Sequence, residues 1–191
     1  MIKSKTELFN AALTRLGERR INDANVTDSS AVVLRDIYQQ SVDEVLTAYP
    51  WSCATSRAVL AQLDGDNFTG YDNMYQIPAD CLYVQSLLDA EEFIPLPDDY
   101  IREGQKLYCN LPSLAIKYTK RIEFYDMDTL VQNVLILMLA YKAAYRITQD
   151  KDLEQDMLAQ YMAAKTEAEF VDGMERVNRN RDDSDKGWLI P

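Results

Sequence analysis

Histidine is absent from this 191-residue sequence. Without imidazole there is no Ser-His-Asp or Cys-His arrangement, no histidine general base and no imidazole ligand for a metal, which removes most hydrolase and metalloenzyme designs. Glycine is scarce, at six residues, and no stretch reads as GxGxxG or as a P-loop, so dinucleotides and nucleoside triphosphates lose their usual phosphate cradle. Cysteine is rarer still, at three residues. Cys53, Cys81 and Cys109 are widely spaced, odd in number and without a CxxC pair, which points to buried reduced thiols rather than a disulfide framework or zinc site. Positive charge is in deficit: 20 Lys and Arg face 31 Asp and Glu, and the net charge of −11 repels nucleic acid on average. No cofactor and no metal is expected. Met1-Ile2-Lys3-Ser4 leads directly into a polar, amphipathic pattern with no apolar signal core, so synthesis in the cytoplasm is expected.

Long apolar runs are also few, and the one present organises the chain. From Thr129 to Tyr141 there is no charge, no Gly and no Pro, and the apolar residues are too continuous for a one-faced helix. This predicts a helix buried nearly all round. Its uncharged core falls short of the ~20 residues that cross a bilayer, and Lys142 and Arg146 follow on one face, so a packing helix with no membrane partner is expected.

Ser4 with Glu7 fits a capping box for a helix over Leu8, Phe9, Ala12, Leu13 and Leu16, ended by Gly17. Asp28 or Ser29 caps a second helix, which stops before Pro50. Between Trp51 and Glu123, four prolines and three glycines cut the chain into short pieces, several of them alternating. Strands are predicted over Arg57–Leu63, Asp80–Leu88 and Leu114–Ile122, the last as a half-buried strand. Asp126 or Asp128 caps the central helix. After a turn at 148–152, Leu153, Met157, Tyr161, Ala164, Ala168 and Val171 recur every three or four residues, the seam of an antiparallel partner. The expected fold is mainly α with a small antiparallel β insertion. N-terminal helices (1–50) and a C-terminal helix hairpin (126–172) form a helical bundle body; a β-rich insertion (51–125) and a flexible C-terminal arm (173–191) complete it. That arm is polar from Asn178 to Gly187 yet ends in Trp188, Leu189, Ile190 and Pro191, which reads either as a docking peptide that orders on a partner or as an end folded back on its own domain.

Carboxylate pairs are the remaining acid/base option. Asp80, Glu91, Glu92, Asp98 and Asp99 are candidates, but no spacing marks out a pair and a solvated surface explains them as well. Asp64-Gly65-Asp66-Asn67 is a faint calcium-loop pattern without its glutamate, since Tyr75 stands at that place. The aromatics between residues 38 and 125 lack the interleaved basic residues of a nucleic-acid platform and fit core and interface.

Asn10-Ala-Ala-Leu13-Thr-Arg-Leu16-Gly17, then Ile21, Ala31 and Tyr38, then Tyr49-Pro50-Trp51-Ser-Cys-Ala54-Thr-Ser-Arg57-Ala58-Val-Leu60-Ala61, then Tyr75-Gln-Ile-Pro78-Ala-Asp80-Cys-Leu82, and finally Leu139-Ala140 in a long apolar helix, follow one another in order. In that order they resemble the tail tubular protein A and head-to-tail adaptor family of short-tailed phages, over nearly the whole chain to Val171. Two departures stand out: Cys53 replaces a frequent phenylalanine, and Glu91–Asn110 has no counterpart. The resemblance implies a structural virion protein at the head-tail junction, made in the host cytoplasm, and not an enzyme. Its implied partners are the portal protein, the next tail component (a tail tube or nozzle protein), copies of itself in a dodecameric ring, and double-stranded DNA that passes through the lumen without specific binding. The C-terminal arm would dock on the portal through Trp188, Leu189 and Ile190, with Arg179 and Arg181 adding charge contacts. Two other readings remain open: a virion-associated, carboxylate-dependent peptidoglycan glycosidase, and a cytosolic helical scaffold dimerising through the 153–171 seam.

Overall fold

The computed structural model describes residues 2–65, 68–97 and 99–185, with side chains as far as Arg176. Ser4 starts the first helix, α1 (Lys5–Arg15): its hydroxyl accepts from the Glu7 N–H at 3.1 Å, and the Glu7 carboxylate accepts from the Lys3 N–H at 2.8 Å. Gly17, at φ +72°, ends it. There the Glu18 N–H reaches the Leu13 carbonyl at 2.9 Å and the Gly17 N–H reaches Thr14 at 3.2 Å, the paired bonds of a Schellman cap.

Asn10, buried on α1, fixes the connector that follows. Its side-chain amide donates to the Ile21 carbonyl at 2.9 Å and its carbonyl oxygen accepts from the Ile21 N–H at 2.8 Å, replacing water at both groups. Asp28 then caps α2 (Ser29–Ala48) by accepting from the Ser30 and Ala31 N–H groups.

The apolar run forms α3 (Thr129–Thr148), whose residues Val134–Ala140 are all buried. Asp128 stands at its N-cap but its carboxylate makes no capping bond. The helices α1 and α2 and a fourth helix, α4 (Lys151–Asp185), pack on α3. Gln149 takes the left-handed conformation that turns the chain, and Asp150 accepts from the Asp152 and Leu153 N–H groups to start α4. Met157 and Ala168 of the α4 seam are buried. An ion pair at 2.7 Å joins Lys142 to Glu44, and the Phe9, Tyr38 and Phe124 rings meet edge to face. Trp51 is fully buried, with its indole N–H on the Val45 carbonyl at 2.7 Å; it is a packing residue.

Ala54–Arg121 is a separate compact unit, distinct from the chain up to Cys53 and from Ile122 on. Among its described residues are seven strands: β1 (Thr55–Val59), β2 (Ala61–Leu63), β3 (Asn73–Gln76), β4 (Cys81–Leu88), β5 (Ile101–Glu103), β6 (Lys106–Cys109) and β7 (Ala115–Lys120). They form two antiparallel sheets, in the orders β1-β7-β4 and β2-β3-β6-β5. Leu60, Tyr75, Ile77, Leu87, Leu107 and Ile116 lie in its core.

Four expectations need correction. The fold is mixed α/β, 48% helix and 20% strand, so "mainly α" understates the sheets. The predicted strand over Arg57–Leu63 is two strands in different sheets; the chain changes sheet at buried Leu60, whose N–H bonds the Leu114 carbonyl at 2.8 Å. β7 is not half-buried: it is the central strand of its sheet, and Thr119 is buried, its hydroxyl accepting from the Gln85 amide at 3.1 Å. Lastly, the chain does not leave the helix at Gly173 for a flexible arm, because α4 runs on to Asp185. Gly173 lacks the positive φ of a helix stop, and Asp172 and Arg176 form an ion pair across it, one turn apart.

Candidate functional site

The far part of α4 is fastened to the segment that follows α2. Asp172, 8% exposed, accepts from the Ser52 N–H at 2.8 Å and pairs with Arg176 at 2.6 Å. Arg176 in turn donates from Nε to the Ser52 hydroxyl at 3.1 Å and lies 5.1 Å from the centre of the Tyr49 ring. Tyr49 packs against Trp51, with ring centres 4.8 Å apart. The Tyr49-Pro50-Trp51-Ser52 turn, singled out in the sequence for resemblance, therefore serves here as the seat of α4. A hollow of about 230 Å³ lies beside it, lined by Asp128, Leu130, Val131, Ala168, Val171 and Glu175 among others. Burial raises the neighbouring Cys53 thiol to about 11, against a hydrogen bond from the Asp128 backbone that pulls the other way. It is a neutral thiol at ordinary pH and a poor nucleophile.

At 35 residues α4 is about 52 Å long, against about 30 Å for the 20-residue α3. The two run antiparallel, so α4 continues past the N-terminal end of α3. Arg179 and Arg181 fall on this extension; their side chains, and Trp188, Leu189 and Ile190 entirely, lie outside the described residues.

Two of the candidate acids, Asp80 and Asp99, have carboxylates engaged with their own neighbours. Asp80 is 3.7 Å from the Lys120 ammonium and 3.4 Å from the Tyr118 hydroxyl. Asp99 accepts from the Tyr71 hydroxyl at 2.8 Å. The Glu91 and Glu92 N–H groups donate to Asp89, whose carboxyl is held below the usual range by those two bonds, Glu92 the stronger. Asp98, Asp66 and Asn67 lie outside the described residues. Among the described residues no three of Cys, Asp and Glu gather as metal ligands.

What sequence reasoning missed is the number of large apolar side chains that α4 leaves exposed. Leu158, Met162, Phe170 and Met174 stand at steps of four, with Thr166 between; each such step turns the position by about 40°, so they wind round the exposed part of α4 and form no single stripe. They are 37, 55, 69 and 51% exposed, whereas Met157 and Ala168 of the inner seam are buried. These residues were visible in the sequence, but the inner seam accounted for the helix without them. In the β unit, Phe93 has a left-handed backbone (φ +56°), uncommon for an aromatic residue, and stands half-exposed beside Ile94 on the loop that Asp89 organises. No protein-family model matches the chain, and no curated protein matches it.

Proposed function

We propose that this chain is a structural virion protein, a head-to-tail adaptor that assembles as a ring on the portal and gives the next tail component its platform. In this reading the four helices are a bundle body that forms the ring, Ala54–Arg121 is the excursion toward the tail component, and the end of α4 with the residues beyond it is the portal-docking arm. One observation carries the proposal: α4 continues past its packing partner while being latched at Asp172 and Arg176. A helix with no more core to cover has little reason to continue unless its end meets something else. It would deliver Arg179 and Arg181, and then Trp188, Leu189 and Ile190, to a partner. The ordered resemblance of the sequence to the adaptor family supplies the identity of that partner.

Physical chemistry sets the order of assembly. Copies that each carry −11 repel in solution, so the ring needs a template, and arms docking side by side on a portal supply it through effective concentration. A lumen faced by the acidic excess would pass DNA without holding it.

Co-sedimentation with the portal ring tests the reading, with the full chain beside a chain ending at Asn178, which keeps the Asp172–Arg176 latch. The full chain should sediment with the portal and the shortened one should stay in solution. Failure of the full chain to sediment would refute the proposal.

A further inference from the structure

Phe93 stands where a glycine would be ordinary. Residues 89–94 form a closed tip on the β unit. The Asp89 N–H donates to the Ile94 carbonyl at 2.9 Å and the Phe93 N–H to the Asp89 carbonyl at 3.0 Å, while the Asp89 carboxylate accepts from the Glu91 and Glu92 N–H groups at 2.9 and 2.8 Å. Closing that turn puts Phe93 at φ +56°, a left-handed conformation that glycine adopts freely and a bulky L side chain adopts at a cost. Below the tip the chain is well seated: the Leu96 N–H bonds the carbonyl of fully buried Leu87 at 3.0 Å, and Leu96 packs against the core of the unit. Phe93 and Ile94 do not follow it inward. They are 42 and 51% exposed.

Neither turn formation nor core packing accounts for an aromatic residue here. The costly backbone and the exposed ring fall on one residue, and the hydrogen bonds of the tip hold that ring in a fixed place, as a preorganised contact requires. The two residues before it indicate what kind of surface it meets. Glu91 and Glu92 are exposed, and the turn uses their N–H groups only; among the described residues their carboxylates have no partner. Two unpaired acids beside an apolar pair are repelled by an anionic membrane and by a DNA backbone. They complement an apolar pocket that carries lysine or arginine on its rim.

We infer that residues 91–94 are the plug by which the β unit seats in a partner protein: Phe93 and Ile94 fill an apolar pocket, and Glu91 and Glu92 pair with basic residues around it. The choice of partner rests on the adaptor reading, under which it is the next tail component. The plug supplies the hot spot of that interface rather than its whole area.

The test measures how much purified next tail component the full chain retains, free and on portal rings, for the wild type, F93G and E91K/E92K. The wild type should retain it. F93G should unfold in urea at the wild-type midpoint or above it, since glycine is at ease at φ +56°, and yet retain roughly tenfold less. E91K/E92K should also retain less, and added salt should weaken the wild type more than this variant. F93G unfolding well below the wild type makes Phe93 a packing residue and overturns the inference. Wild-type retention by F93G overturns it too, as does undiminished retention by E91K/E92K. A wild-type chain that retains no tail component overturns the inference whether or not it reaches the portal, and one that reaches the portal spares that part of the adaptor reading. Retention that F93G abolishes, in a chain that never reaches the portal, upholds the plug and refutes the ring on the portal.

Discussion

Replacing Asp172 by alanine removes the group on which the seat of α4 depends. In the native protein its carboxylate accepts from the Ser52 N–H at 2.8 Å and pairs with Arg176 at 2.6 Å, and the Asp172 side chain is 9% exposed against 30% for Arg176. Losing a charged acceptor strands the Ser52 N–H, at roughly 1.5–3 kcal/mol. Arg176 keeps the Ser52 hydroxyl and the Tyr49 ring and can turn toward water, so loss of the ion pair adds about 0.5–1 kcal/mol. The sum is roughly 2–4 kcal/mol, or a fall in Tm of roughly 10 °C for a unit of this size. D172N should cost about 1 kcal/mol, because its amide oxygen still accepts from Ser52. Urea unfolding followed by far-ultraviolet circular dichroism reads the stability, and hydrogen exchange reads where it is lost. Amides of α4 beyond Ala168 should exchange faster in D172A while those of α3 between Val134 and Ala140 change little. If D172A lies within about 0.5 kcal/mol of the wild type, the latch is not what holds α4, and if D172N is as damaging as D172A, the ion pair outweighs the bond to Ser52.

Three further outcomes follow from the same geometry. G173A should stabilise by about 0.5–1 kcal/mol, because Gly173 is helical and an added Cβ meets the Tyr49 hydroxyl at an ordinary 3.5 Å; denaturant unfolding decides. Asp89 has a lowered pKa, so its contribution to loop order is complete above the ordinary carboxylate range near 3.9 and is lost as pH falls through its own lower value. NMR exchange of the Glu91 and Glu92 amides across acid pH should show the loop opening only there. Cys53 has a raised pKa, so stability is whole below the ordinary thiol value of 9.0 and declines as pH rises from there to about 11. Its alkylation by iodoacetamide should stay slow at neutral pH and accelerate only toward about 11.

The parts of this fold that were legible in the sequence are those set by local chemistry. Ser4, Gly17 and Asp28 act on backbone groups within a few residues of themselves, and the uncharged run of α3 has no stable place but a core. Long-range pairing was not legible. Nothing within Arg57–Leu63 marks Leu60 as the point where the chain changes sheets, because the partner that takes its N–H is Leu114. Gly173 reads as a helix stop by composition; its φ and its setting against Tyr49 come from tertiary packing. On α4 the sequence showed one seam, and the other apolar residues of the helix are known to be exposed only once α3 is seen to cover that seam.

Copy number on the portal decides whether this chain closes a ring there. Native mass spectrometry of the sedimented complex should find a fixed number of copies per portal ring, twelve for a dodecameric portal, with no partial occupancies once the ring closes. A chain that stays unbound, or binds in variable number, contradicts the adaptor reading.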